Sequence, residues 1–108
     1  MDEISVDEFH RIDIRVGKVV ECEKVEKSRN LLKIIVDLGD QKKQIISSIS
    51  NCYSPEDMLG KQLVVINNLA PAKFMGLESQ GMLLAVEDEK GVSLLKPDRD
   101  VATGTKVH

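Results

Sequence analysis

"RIDIRVGKVVECEKV", residues 11–25, decides the fold. Ile12, Ile14 and Val16 alternate with Asp13 and Arg15, which is the two-residue period of a strand with one buried face. Gly17 interrupts the run, and a lone glycine inside a strand predicts a bulge or a sharp bend. The apolar pattern resumes at Val19 and Val20, so the strand continues past the bend.

The chain downstream adds strands in quick succession. In "LLKIIVDLG" (31–39), Leu32, Ile34, Val36 and Leu38 share one face and Lys33, Ile35 and Asp37 the other. "GDQKK" (39–43) turns into "QIISSIS" (44–50), which completes a three-stranded meander. "YSPEDMLG" (53–60) reads as one short helix. Ser54 is its cap, Pro55 its first residue, Glu56 and Asp57 sit at the positive end of its dipole, and Gly60 stops it. "KQLVVINN" (61–68) and "GMLLAVED" (81–88) are a fourth and a fifth strand. "VSLLKP" (92–97) is a sixth strand or edge, and "DVATGTKV" a closing tail. "SVDEFH" (5–10) makes one helical turn, with Ser5 and Glu8 at capping-box spacing. This order predicts an all-β fold, a five-stranded Greek-key OB-fold barrel with one short helix and terminal extensions. The barrel covers about residues 11–88 of a single domain over 1–108.

Composition narrows the function. A chain of 108 residues recovers less surface on folding than a larger one, so burial against a second copy would help it. No apolar run approaches the roughly 18 residues of a membrane span. The acidic start "MDEISVDEF" does not read as a signal peptide. Cys22 and Cys52 read as reduced thiols of a cytoplasmic protein. The net charge is −3, yet residues 10–33 hold seven bases against four acids, and residues 61–73 hold Lys61 and Lys73 without an acid. That distribution is compatible with one basic face on an acidic body.

Catalytic signatures are missing. His10 and His108 are the only histidines, and neither lies in a recognisable nucleophilic arrangement. The two cysteines have no metal-ligand spacing, and "GLESQG" is not a phosphate loop. A non-enzymatic chain without metal or cofactor is expected. Binding is the better class. Arg15 and Lys33 fall on the outward faces of the first two strands, beside the groove where such barrels hold oligonucleotides. Phe9, Tyr53 and Phe74 are the only aromatic residues, and Phe9 and Tyr53 read as packing residues. Any RNA would therefore be held by phosphate contacts and shape, with few stacked bases.

"NLAPAKFMGLESQGMLLA", residues 68–85, resembles the tRNA-binding OB module at the C-terminus of many methionyl-tRNA synthetases. The module also occurs as a stand-alone dimeric tRNA-binding protein and as a separate β subunit of some of these synthetases. It is similar as well to the endothelial-monocyte-activating polypeptide group and to an export-related bacterial chaperone. "DEFHRIDIRVGKVVECEKV", "LLKIIVDLG", "YSPEDMLGKQLVVINNL" and "LLKPDRDVATGTKV" carry the likeness along essentially the whole chain. One departure is "KSRNLL" (27–32), where many members carry an "HPxADKL"-like segment.

The resemblance implies structure-selective tRNA binding with weak sequence preference, and homodimerisation. It also implies service as a β subunit or appended domain beside the catalytic chain of methionyl-tRNA synthetase. Arg15, Asn68, Lys73, Ser79, Gly81 and Met82 match the family pattern. Lys73 would meet phosphate, Ser79 and Gln80 would bond the RNA backbone or 2′-hydroxyls, and Met82 would border the groove. Met75 and Leu84 are expected to fill the core. Ile4, Val6, Phe9, Leu94, Leu95 and Val101, outside the barrel, are the expected dimer contacts. Two other readings compete: a peptide-binding chaperone, and a module that only joins other chains.

Overall fold

The long first strand serves three neighbours in turn. Residues 1–108 are described by a computed structural model, in which β1 runs Ile14–Lys24. Its first half pairs antiparallel with β4 (Gln62–Ile66), from Ile14↔Ile66 to Lys18↔Gln62. Its second half pairs with β2 (Leu32–Asp37), from Lys18↔Asp37 to Lys24↔Leu32. The free edge of the first half takes the C-terminal tail. Val16 N–H donates to Thr105 O at 2.9 Å, and the N–H groups of Gly104 and Val107 donate to Val16 O and Ile14 O.

β3 (Lys42–Ser47) pairs with β2, and β7 (Met82–Leu83) pairs with β4. The sheet order is β3-β2-β1-β4-β7, and β7 returns against β3. The result is a nearly closed five-stranded antiparallel barrel of the OB-like order expected from the pattern of strands. Leu32, Ile34, Val36 and Leu38 all point inward and are at most 1% exposed, as their alternation predicts. They join Val19, Ile45, Ile49, Leu63, Val65 and Leu83 in one core cluster. Each such aliphatic side chain contributes about 1.5–3 kcal/mol by leaving water. α2 (Pro55–Met58) is one turn long and plugs the barrel with Met58, which is fully buried. Ser54 Oγ accepts from Asp57 N–H and the Asp57 carboxylate accepts from Ser54 N–H, a reciprocal cap. The same device builds α1 (Val6–Phe9) from Ser5 and Glu8.

Several local expectations change. No bulge lies at Gly17, where the register with β4 runs on unbroken through Gly17↔Leu63. A Cβ there would meet Leu38 Cδ2 at 2.9 Å and Val65 Cγ2 at 3.3 Å, so glycine serves close packing of the core. The register shift lies between Val19 and Glu21. Ile12 precedes β1 and is exposed. The helix expected over 53–60 contracts to its single capped turn. The expected strand 81–88 splits into β7 and β8 (Ala85–Asp88) at Leu84, whose N–H donates to Val64 O and whose O accepts from Leu95 N–H. β8 then pairs with β9 (Gly91–Leu94) as a hairpin outside the barrel. Tyr53 braces that hairpin, its hydroxyl accepting from Leu94 N–H at 3.0 Å.

The stretch between β4 and β7 holds a second hairpin, which no sustained apolar alternation in the sequence marks. β5 (Ala72–Phe74) pairs with β6 (Leu77–Ser79) across Met75 and Gly76. Both turn residues have positive φ, 51° and 81°, as a two-residue type I′ turn requires. Met75 therefore sits exposed at the hairpin tip and does not fill the core.

Candidate functional site

The segment 67–82 is fastened to the barrel at both ends by side chains of the sequence motifs. At its start, Asp13 is the hub. Its main-chain N–H donates to Asn68 Oδ1 at 2.8 Å and its carbonyl accepts from Asn67 N–H at 2.7 Å. Its carboxylate accepts from Asn67 Nδ2 at 2.9 Å and from Arg15 Nε at 3.0 Å. The Arg15 guanidinium, followed by the Asn67 amide, holds the Asp13 carboxyl below the usual carboxylate range. Arg15 also pairs with Asp40 at 3.2 Å, and Asn68 Nδ2 donates to Arg11 O at 2.7 Å. Lys43 Nζ adds a bond to Asn67 O at 2.7 Å. Both amide atoms of Asn68 and two of the three guanidinium nitrogens of Arg15 are thus engaged within the protein.

At the far end, side chains stand in for strand pairing. Ser79 is only 5% exposed. Its Oγ accepts from Ile46 N–H at 3.0 Å and donates to Gly81 O at 3.2 Å. Gln80 N–H donates to Gln44 O, and Gln80 Oε1 accepts from Gln44 N–H at 2.9 Å. Gln44 Nε2 returns a bond to Glu78 O at 2.9 Å. These bonds seal β3 against the returning chain, where an unpaired β3 edge would otherwise expose its amides. Gly81 makes this approach feasible, because a Cβ there would lie 2.8 Å from Ile66 O.

Between the two fastenings lies a groove of about 180 Å³, floored by Ile46 and Leu83 and walled by Leu69, Ala72, Phe74 and Met82. Leu69, Phe74 and Met82 are each 43–44% exposed, an unusual concentration of large apolar side chains on a small barrel. Ala72 and Phe74 face the groove, so the intervening Lys73 projects from the other side of the hairpin, opposite Glu78 in register. Lys73 and Lys42, the latter at the start of β3, are exposed and have no carboxylate within 4 Å.

The sequence-predicted residues therefore separate. Met82 lines the groove and Lys73 flanks it; Asn68, Ser79, Gln80 and Arg15 form its mounting. Lys33 lies elsewhere, half-buried on β2 with its Nζ 3.0 Å from Glu23. Of the expected dimer contacts, Ile4, Val6 and Leu95 are exposed. Phe9 and Val101 are half-buried, and Leu94 packs partly on the core. Phe74, Leu69 and Lys42 were not singled out from sequence. "AKF-MG-LES" holds the signal for Phe74: two three-residue strands around a turn place alternate residues, Ala72 and Phe74, on one face.

Comparison with known proteins identifies the family of the chain. Residues 14–106 match the family described as "Putative tRNA binding domain". The chain is 50% identical over 106 residues to a methionine–tRNA ligase of Archaeoglobus fulgidus, a match that covers 98% of this chain and 16% of that protein. The chain thus spans about one sixth of the length of that relative. A methionyl-tRNA-synthetase-related protein from Pyrococcus horikoshii superimposes with a TM-score of 0.92 at 38% identity, covering all of both chains. The chaperone CsaA of Bacillus anthracis superimposes at 0.87 with 28% identity, covering 99% of this chain and all of that one. The match over nearly the whole barrel and tail shows that the chain belongs to this tRNA-binding domain family.

Proposed function

We propose that the chain binds tRNA through the groove between β3 and the β5–β6 hairpin, largely without regard to base sequence. The match of residues 14–106 to the tRNA-binding family carries this reading. The groove suits it in chemistry: Phe74 and Met82 offer apolar surface to one or two splayed bases, and Lys73, on the hairpin that walls the groove, offers charge to phosphates. Asn68, Ser79, Gln80 and Arg15 act by holding the groove in shape, and Lys33 takes no part. The chain itself does not aminoacylate. It works in the cytoplasm as an appended domain or β subunit that raises the tRNA concentration near the catalytic chain of a methionyl-tRNA synthetase.

The deciding measurement is binding of unfractionated tRNA against a single-stranded RNA of equal length across a salt series. Preference for tRNA with a steep loss of affinity in salt is expected. Absence of binding at low salt would sink the reading. Lys73→Ala should weaken binding by roughly threefold to tenfold at low salt and lower the salt slope by about one, in a folded protein. An unchanged slope would remove Lys73 from the interface.

We also propose a homodimer through the terminal segments, with Ile4, Val6, Phe9 and Leu95 at its centre and Leu94 and Val101 at its margin. The apolar exposure of Ile4, Val6 and Leu95 supports it, and two grooves on one dimer would add avidity. Light scattering that gives a monomer at micromolar concentration would defeat it. The likeness to CsaA favours a second reading, in which the uncharged groove receives an extended peptide. Suppression of aggregation of an unfolded client, uncompeted by tRNA, would favour the peptide reading.

A further inference from the structure

A second groove, of about 410 Å³, opens on the opposite chemistry. It lies on the outward face of β1 and β2. Val20, Ile35 and Leu59 are its apolar lining, and Glu21, Glu23 and Lys33 its polar rim. The register shift between Val19 and Glu21 leaves Val20 as an extra residue, and its side chain stands 36% exposed beside the groove. Leu59, following α2, is 52% exposed. The one cation of the rim, Lys33, is neutralised by Glu23 at 3.0 Å. Glu21 has no base within 4 Å. The half-buried Cys22 thiol lies in the same lining. Burial first, then the charges of Glu23 and Glu56, push it up to about 11.

We propose that this groove docks a polypeptide segment of another protein, one that presents an aliphatic side chain flanked by lysine or arginine. The aliphatic side chain would cover Val20, Ile35 and Leu59, and the flanking base would pair with Glu21. RNA does not suit the groove, because the acids of its rim repel phosphates and its floor offers no aromatic ring for stacking. A second copy of the chain does not suit it either. The rim holds two acids and a single base already paired with Glu23, so two copies of it meeting about a two-fold axis would bring together an excess of negative charge. The Archaeoglobus fulgidus relative carries this domain as about one sixth of a longer chain, so protein lies beside it there, whereas the Pyrococcus horikoshii and Bacillus anthracis relatives are this domain alone. The two grooves would then let the barrel be held by protein on one face while the other stays open. The inference stands whether or not the hairpin groove binds RNA.

The test is an amide chemical-shift titration of the full chain with a synthetic ten-residue peptide holding two leucines flanked by lysines. The control is the same peptide with glutamate in place of lysine, and unfractionated tRNA is titrated in parallel. The lysine peptide is expected to shift amides at 20–23, 33–35 and 59, with affinity at least roughly tenfold above the glutamate peptide. Leu59→Ser and Glu21→Lys alter exposed side chains, so both variants should keep the native spectrum, and together they should weaken the lysine peptide roughly tenfold or more. Shifts confined to 69–82, equal binding of the two peptides, no shifts at millimolar peptide, or tRNA-induced shifts at 20–35 would each overturn the proposal.

Discussion

β3 is held by different means on its two edges. Along β2 it follows a regular ladder of six residue pairs, from Leu32↔Ser47 to Asp37↔Lys42. Along the other edge it meets residues 78–81, where one main-chain bond from Gln80 to Gln44 is supplemented by Ser79 Oγ and the Gln80 and Gln44 side chains. A ladder spreads its stability over many equivalent backbone bonds, and any side chain of the right polarity and shape sustains it. A seal made by named side chains concentrates the same task in a few atoms. The residues of that seal are therefore restricted in identity for mechanical reasons, and the groove they hold inherits its shape from them.

The strongest way to break the comparison is at Gly81. Gly81→Val places a Cβ against the carbonyl of Ile66, main-chain atoms that have little room to yield. A loss on the order of 3 kcal/mol is expected in chemical denaturation. By contrast, a Cβ at Gly76 meets nothing within 4 Å, so Gly76→Ala should cost only about 1 kcal/mol, from its positive φ. Equal losses at the two positions would show that the seal is not tight.

Ser79→Ala comes next. It leaves the Ile46 N–H buried without its acceptor, at about 1–3 kcal/mol. Its effect on tRNA sharpens the distinction between mounting and contact. Below the melting transition the variant should keep the salt slope of the parent, whereas Lys73→Ala lowers it. A lowered slope for Ser79→Ala would place the hydroxyl against RNA.

Asp13 fastens the other end and makes it acid-sensitive. Its folded carboxyl lies below the usual range, so its stabilisation is present above about pH 4 and is lost as pH falls through the lower, folded value. Asp13→Asn should flatten the dependence of stability on pH below about 4. A slope identical to the parent's would contradict the fastening role.

The smallest effect concerns the thiols. Cys52 is exposed, and Cys22 is half-buried with its pKa raised to about 11. At pH 8 an alkylating reagent should modify Cys52 first and Cys22 only slowly. Stability should also drift downward from about pH 9 to 11, as the unfolded thiol ionises before the folded one, and Cys22→Ser should remove that drift.

Much of the barrel is written in local pattern. The alternation in 31–39 places Leu32, Ile34, Val36 and Leu38 inside, because a strand's side chains must alternate and only one face can be dry. Ser54 with Asp57 and Ser5 with Glu8 announce their helical turns, since capping is an interaction between residues three apart. The candidate site was different. Its motif marks the segment 68–85, but the contacts inside it join residues 33 to 57 apart in the chain: Ser79 to Ile46, Asn68 to Arg11. No periodicity records such distances. Lys33 and Lys73 are both read from sequence as exposed bases, one on a strand and one in a loop. Only the folded chain brings Glu23 to 3.0 Å from Lys33 and leaves Lys73 with no carboxylate within 4 Å, although Glu78 stands opposite it in the hairpin. The local sequence could decide where strands run and which face of each is apolar, because those depend on neighbours along the chain. Which charges stay free, and which polar side chains are consumed in closing the barrel, depended on neighbours in space.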